Sequence, residues 1–590
     1  MKPKPTGVFI VWLTLLSLVG SRSSAQTTWQ RPTLSSPNEV EMRGAWGEAY
    51  TRGLARISRE PFTVPFLLAD LNFGVGRWFT NFSGDMSGRF MELAALTSSP
   101  EHPQPALLGV LAQAPQFQKA DGHFGADVDW QQPIDFSVGS DQTTMMPILW
   151  GNGRLLLGLV AGYERFGQTN LIEAARKLGD FYVNVVADRF CDPKRADEYR
   201  QPASYACKYV TCVFEGMEGL VQLYRATHDR RYLQTARRMA DFHEAYDTLP
   251  VDHAHGSLSE HEALLLLYED TGDVRYLQRV TNRWNRIVRE GFVNPTGGVL
   301  EKFWITGCNR DEGCAEADWL RLNLMLWRNT GDTRYLDMAE RVLCNEYLAN
   351  QWPDGGYGHR FIGCDDIGPF AYQKPSQESL WCCSFHGPLG LHQLKSYLAV
   401  ALPDGNLCLN FPANFTTPVK VGKSEWTITS TTAPTQDNAL VCYEVKLASE
   451  QQASIPVQVR FPEWAEKVVV QAGGKSVSAS RKGGYFCLGP MASGAKLQIA
   501  YYASPFLENR RLERLALPTS LPATLTNVVV RLGPSVLMNA NSGEIQSISM
   551  KVGATGLQIS HEETASVLTS WYQLKNSGEP HAFIFNANLN

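Results

Sequence analysis

Four residues offer a ligand set for a soft divalent ion: Glu312 and Cys314, one residue apart, and the adjacent pair Cys382-Cys383. The first two lie in Asp311-Glu312-Gly313-Cys314-Ala315-Glu316, the second two in Trp381-Cys382-Cys383-Ser384-Phe385-His386. Three thiolates and a carboxylate are soft-to-borderline donors in the number that tetrahedral zinc takes. Spacing alone does not decide it, because neither Glu-x-Cys nor Cys-Cys is a standard zinc pattern. Two other readings stay open. Cysteine is often a small buried apolar residue, and adjacent cysteines can close a strained vicinal disulfide. Of the remaining nine, Cys344, Cys408, Cys442 and Cys487 read as packing, and Cys191, Cys207, Cys212, Cys308 and Cys364 as packing or disulfides. A second set, Asp252, His253 and His255, could serve metal-free hydrolysis or elimination.

Elements must bring these residues together, and between about 60 and 395 the pattern is helical and repeats. Four units place an aromatic at Tyr163, Tyr224, Tyr268 and Trp327, and an apolar or aromatic anchor eight positions on, at Leu171, Tyr232, Tyr276 and Tyr335. A turn separates the two, clearest in Thr271-Gly272-Asp273 and Thr330-Gly331-Asp332. Glycine there ends one helix in the left-handed conformation and aspartate caps the next. Each unit is predicted to be a helical hairpin. Their spacing is too irregular for a solenoid, which points to a closed toroid whose loops build a site at one end. Trp304, Trp319, Trp352 and Trp381 suit a sugar-binding mouth there, or ordinary packing.

After about 400 the texture changes to short β runs: Ala439–Val445, Val457–Phe461, Val468–Val470 and Val528–Val530. Strands at this spacing predict antiparallel β-sandwich material. The expected division is 1–25 leader, 26–60 a segment packed on the sandwich, 61–395 toroid, 396–505 sandwich and 506–590 a further β-rich region.

The leader expectation rests on Lys2 and Lys4, an apolar run from Val8 to Val19, and Ser23-Ser24-Ala25, the order of a secretory signal cut after Ala25. The run is too short to span a bilayer, so the expected location is secreted or periplasmic. The whole chain of 590 residues carries 54 basic and 59 acidic side chains. Removing residues 1–25 takes three positive charges and moves the net from −5 to −8. That balance excludes a nucleic-acid surface, which needs clustered positive charge.

Glu312-Gly313-Cys314-Ala315, Cys382-Cys383 and the upstream Thr296-Gly297-Gly298 resemble glycoside hydrolase family 127, of the β-L-arabinofuranosidase superfamily. Val459-Arg460-Phe461-Pro462-Glu463-Trp464-Ala465 and Gly484-Tyr485 resemble the first β-sandwich domain of that family. The resemblance runs from about 60 to 500 and more weakly to the end. It implies an (α/α)6 toroid followed by antiparallel β-sandwich domains, with zinc held by Glu312, Cys314, Cys382 and Cys383. It further implies Cys382 as the nucleophile and Glu301 as acid/base of a retaining glycosidase. A carbohydrate would be the substrate, β-L-arabinofuranoside by family default. The stretch from the Gly-Gly turn through Glu301 to Glu312 is shorter than in typical members, so the acid/base position could instead fall on Asp311 or Glu316. His261 matches one of the family's sugar-binding histidines at hairpin heads, whereas Arg154 and Met217 occupy two other heads. Tyr357 and His359 are expected sugar contacts. The competing expectations are a metal-free toroid glycosidase or polysaccharide lyase, and a glycan-binding protein without catalysis.

Overall fold

The computed structural model describes residues 29–75, 82–136, 145–195, 210–246, 253–303, 310–361, 371–372, 380–435, 438–518, 520, 523–539, 547–553, 556–558, 568–570 and 585–589. The proposed leader, Asp252, Trp304, Cys207, Cys308 and Cys364 lie outside them.

The helical half comprises α1 (Gly44–Ile57), α2 (Val64–Asp70), α3 (Asp85–Thr97), α4 (Leu107–Gln113), α5 (Met145–Phe166), α6 (Thr169–Phe181), α7 (Gly216–Thr227), α8 (Arg230–Tyr246), α9 (Ala254–Thr271), α10 (Val274–Arg289), α11 (Gly313–Thr330), α12 (Arg334–Val342) and α13 (Cys383–Lys395). Six of them, α3, α5, α7, α9, α11 and α13, pack each on the next, and α13 returns to α3 to close the ring. The others pack outside: α6 on α5, α8 on α7, α10 on α9, α12 on α11 and α1 on α13, with α2 and α4 against α3.

Burial follows this division. Inner α5 is buried without a break from Met145 to Gly162. Outer α10 buries only Tyr276, Val280, Arg283, Trp284 and Ile287, one stripe at helical spacing. The turns behave as the sequence predicts. Gly272 and Gly331 cap their helices at φ 71° and 73°, and the Asp273 carboxylate accepts the Arg275 N–H at 3.1 Å. Since the chain alternates inner and outer helices, every inner helix presents its N-terminus at the same end of the ring.

Strands β1 (Glu41–Arg43), β2 (Ala399–Ala401), β3 (Leu407–Leu409), β4 (Asn414–Val421), β5 (Ser424–Ala433), β6 (Val441–Ala448), β7 (Ser454–Arg460), β8 (Lys467–Ala472), β9 (Lys475–Ser476), β10 (Ala479–Lys482), β11 (Tyr485–Ala492) and β12 (Lys496–Tyr502) build the sandwich. One sheet runs β1-β4-β5-β6-β12-β8-β9 and the other β10-β11-β7-β3-β2. Neighbours are antiparallel except β3 and β7. Segment 26–60 is shared: Glu41–Arg43 pairs with Asn414–Thr416, while α1 lies on the toroid. A third sheet follows, led by β13 (Phe506–Glu508), β14 (Ala523–Leu532) and β15 (Ser535–Asn539). Among the described residues, no helix is long and apolar enough to cross a membrane.

Of the two readings open for the tryptophans, packing holds for Trp319 and Trp352. Trp319 is fully buried, stacked on Trp284 with centroids 6.1 Å apart, and donates to Gly297 O at 3.0 Å. Trp352 is buried under the Arg360 guanidinium, 4.3 Å from the ring centroid.

Candidate active site

Two inner helices begin at the site. Glu312 is the N-cap of α11, with Cys314 in its first turn. Cys382 is the N-cap of α13, with Cys383 as its first residue. A helix N-terminus presents unpaired amides and a partial positive charge, which favour carboxylate and thiolate over their protonated forms. Gly313 permits the approach of the two helices: a Cβ there would stand 2.9 Å from Asn350 Oδ1 and 3.1 Å from Cys383 Cβ.

One ligand atom each from Glu312, Cys314, Cys382 and Cys383 lies within 4.8 Å of the others, and Cys314 Sγ is 3.5 Å from Cys383 Sγ. All of the described cysteines are free thiols, so Cys382 and Cys383 form no vicinal disulfide. Glu312, Cys314 and Cys383 are buried, and Cys382 alone keeps a partly exposed side chain.

Burial, then the charges of Cys382 and Glu301, pushes the Glu312 carboxyl well above the usual carboxylate range. Burial and the neighbouring thiols push Cys314 up in the same way. Glu312 Oε2 is buried and accepts no hydrogen bond; His253 Nε2, at 3.5 Å, is too distant for one. Four crowded acidic groups in a dry pocket cannot all ionise without a cation, and an orphaned carboxylate oxygen there is costly. Donor type, number and the orphaned oxygen together fit a divalent soft-to-borderline metal.

Glu301 enters from the segment that follows the Gly-Gly turn. Thr296 donates its hydroxyl to buried Glu346, Gly297 has φ 92°, and a Cβ on Gly298 would strike the carboxyl oxygens of Glu346 and Glu316 at 2.3 and 2.7 Å. The turn is therefore braced on a buried carboxyl pair, and only glycine fits. Leu300 then bridges to Asp311, and Glu301 O accepts the N–H of Ala254 at 2.8 Å, fixing it to the head of α9. Its carboxylate takes two bonds from Arg310, at 2.5 and 2.9 Å. Burial works against ionisation, but Arg310, His359 and His253 outweigh it and draw Glu301 down to about 2.

The two alternative acids are committed elsewhere. Asp311 accepts from Asn350 at 2.9 Å and from the Arg360 backbone at 2.5 Å, and Glu316 holds the Val299 N–H at 2.9 Å.

The catalytic-domain profile of the GH127 β-L-arabinofuranosidases matches residues 77–391. The chain belongs to glycoside hydrolase family 127.

Solved structures repeat this GH127 architecture over nearly the whole chain. A GH127 β-arabinofuranosidase is 17% identical over 95% of this chain and 98% of its own, with a TM-score of 0.67. A protein described as a glycoside hydrolase is 18% identical over 96% and 98%, at 0.63. A GH127 β-L-arabinofuranosidase from Geobacillus stearothermophilus T6 is 14% identical over 93% and 100%, also at 0.63. At such identities the likeness is one of fold. No curated protein sequence matches the chain.

Within this GH127 glycosidase the expected site residues separate into two groups. Glu301, Glu312, Cys314, Cys382, Cys383 and His359 come together, His359 through its charge interaction with Glu301. His253, at the head of α9, joins them beside Glu312. Tyr357 is a packing residue, buried with its ring against Tyr347 at 5.7 Å and filling the space a Cβ on Gly387 would take. His261 points to an outer helix: it is buried, its Nδ1 lies 2.6 Å from Ser257 O, and its ring meets that of His243 on α8 at 5.5 Å.

Arg89, Arg310, Asp318 and His386 also surround the cluster, and no sequence motif marks them as site residues. The last two carry a faint signal in their spacing. Asp318 follows Cys314, and His386 follows Cys382, by four positions, the spacing that keeps residues on one helix face.

Proposed function

We propose that the chain is an exported retaining glycosidase of the β-L-arabinofuranosidase type, with Cys382 as nucleophile, Glu301 as acid/base, and zinc held by Glu312, Cys314, Cys382 and Cys383. The observation that carries this reading is the four-donor cluster at two helix N-termini, in which only Cys382 has an open side. Zinc, when bound, keeps the ligating thiols ionised at neutral pH.

In the first half of the reaction the Cys382 thiolate attacks the anomeric carbon as the glycosidic C–O bond breaks. Glu301 gives its proton to the departing oxygen. A thioglycosyl bond to Cys382 then joins sugar and protein. In the second half Glu301, now a carboxylate, takes a proton from water. That water attacks the anomeric carbon, and the thiolate leaves. Two inversions return the starting configuration. Export is supported by the order of Lys2, Lys4, the apolar run and Ser23-Ser24-Ala25.

An aryl β-L-arabinofuranoside assayed under reducing conditions tests the reading. Cys382→Ala and Cys382→Ser should each lose activity by roughly 10⁴-fold or more, since a missing nucleophile leaves only binding and orientation. Full activity in either variant would overturn the mechanism.

A further inference from the structure

One helical turn beneath the cysteine cluster lies a second group of metal-type side chains. His255 on α9, Asp318 on α11 and His386 on α13 each place one donor atom within 4.8 Å of the others, and all three are buried. Asp318 and His386 continue the helix faces of Cys314 and Cys382 four residues on, so this layer lies about 6 Å below the first. Geometry alone would make it a second metal site.

Hydrogen-bond direction argues otherwise. Arg89, on α3, points one terminal nitrogen at His386 Nδ1 (2.9 Å) and the other at His255 Nε2 (2.7 Å). A guanidinium only donates, so both of those ring nitrogens must accept. Each neutral imidazole then carries its proton on the other nitrogen. Those are His255 Nδ1 and His386 Nε2, and both face the Asp318 carboxylate, one oxygen each. Arg89 is itself fixed by Asp85 through Nε at 2.9 Å, and Arg154 adds a longer contact to His255 Nε2 at 3.4 Å. Every ring nitrogen is thus either protonated or occupied by an arginine, and no lone pair is left for a metal.

We infer that Arg89, His255, Asp318 and His386 form a metal-free brace of positioning residues. It ties α3, α9, α11 and α13 together and sets the separation of Cys314 from Cys382 and Cys383. Asp318 is its centre, since one carboxylate joins α11 to α9 and to α13 immediately below the thiols. The inference rests on the metal reading of the cysteine cluster. It goes further in naming what holds that cluster at ligand distance and in leaving, of the two metal-type groups among the described residues, only the upper one to bind a metal.

Cobalt(II) titration of the full chain, stripped of metal under reducing conditions, tests it. Intense d–d bands report tetrahedral geometry and a thiolate-to-cobalt charge-transfer band reports the sulfurs. The wild type should bind one cobalt. His386→Gln keeps an amide donor toward Asp318 and an acceptor toward Arg89, so its bands and zinc affinity should match the wild type. Asp318→Asn cannot accept from both rings, and His386→Leu makes neither bond. Both should still bind one cobalt, with altered d–d bands and zinc affinity about 10- to 100-fold weaker. A second cobalt in the wild type that His386→Gln loses would overturn the brace, and this comparison does not depend on the folding of the disruptive variants. Wild-type affinity and bands in both Asp318→Asn and His386→Leu would overturn it equally. In those failures the wild-type charge-transfer band persists. Its absence would sink the metal reading itself, and the brace with it.

Discussion

Cys382 differs from its two neighbouring thiols in having an open side, and Glu301 differs from Asp311 and Glu316 in that its carboxylate holds the Arg310 side chain, whereas theirs hold the backbone N–H groups of Arg360 and Val299. Those two contrasts support the proposed choice of nucleophile and acid/base within a crowded set of acids. Arg310 holds Glu301 in the carboxylate form, the form that the proposed mechanism needs to activate water in its second half. Glu301→Gln removes both proton roles. Glycosides with poor leaving groups should then turn over about 10²- to 10⁴-fold more slowly. Activated aryl glycosides should still react once and show a burst, because their leaving groups need no proton. Azide, a nucleophile that needs no base, should restore turnover on those activated substrates. An unchanged kcat on a poor leaving group would remove Glu301 from the mechanism. Donating a proton in the first half requires the Arg310 ion pair to open, so Arg310→Gln should extend kcat/KM to higher pH.

Helix α13 carries Cys382 and Cys383 at its start and is held from outside by α1, where the Tyr50 hydroxyl lies 2.9 Å from His392 Nδ1. Burial, aided by the charge of Lys395, lowers His392 from 6.5 to about 3. Between those values the unfolded chain takes up a proton that the folded chain refuses. This contribution to stability is intact above about pH 6.5 and is lost as pH falls toward 3. From pH 7 to pH 5 the loss is about 2 kcal/mol. His392→Gln should show that much less acid destabilisation than the wild type by urea unfolding at the two pH values. Equal losses would show that His392 does not report on this helix pair. The element scale is also where the sequence reads best. Hairpins announce themselves because Thr-Gly-Asp encodes both a helix end and a cap locally. Cys314 and Cys382 are likewise visible as unusual residues at helix starts. The packing of His261 and Tyr357 is not legible locally, because the rings they meet, His243 and Tyr347, cannot be inferred from sequence spacing. The pairing of Asp318 with His386 is hidden for the same reason, since it exists only once α13 closes against α11.

At the scale of the whole molecule, the toroid and the β domains meet through buried charge. Arg460 of β7 pairs with Asp337 and Glu340 of α12 at 2.8 and 2.6 Å, and Trp464 donates to Glu340 at 2.8 Å. This gives the Arg460-to-Trp464 run its role: it docks the sandwich on α12. A second junction is centred on Glu508 of β13, which bonds Arg341 of α12 at 2.5 Å and Arg531 of β14 at 2.9 Å. Arg341 also holds Pro295 O at 2.8 Å, the residue before the Thr296-Gly297-Gly298 turn that leads to Glu301. Burial and the nearby Arg531 lower the Arg341 pKa, so the two cations depend on the carboxylate between them. Glu508→Gln leaves both guanidinium groups buried with too little negative charge. The expected loss is about 3–5 kcal/mol of unfolding free energy, together with a reduced kcat as the turn loosens. Glu463 provides the control, since its carboxylate also reaches Arg531 at 2.7 Å but is 44% exposed. Glu463→Gln should cost under about 1 kcal/mol and leave kcat unchanged. Urea unfolding and turnover measured on both variants separate the cases: if Glu508→Gln loses no more than Glu463→Gln, the junction does not transmit to the site.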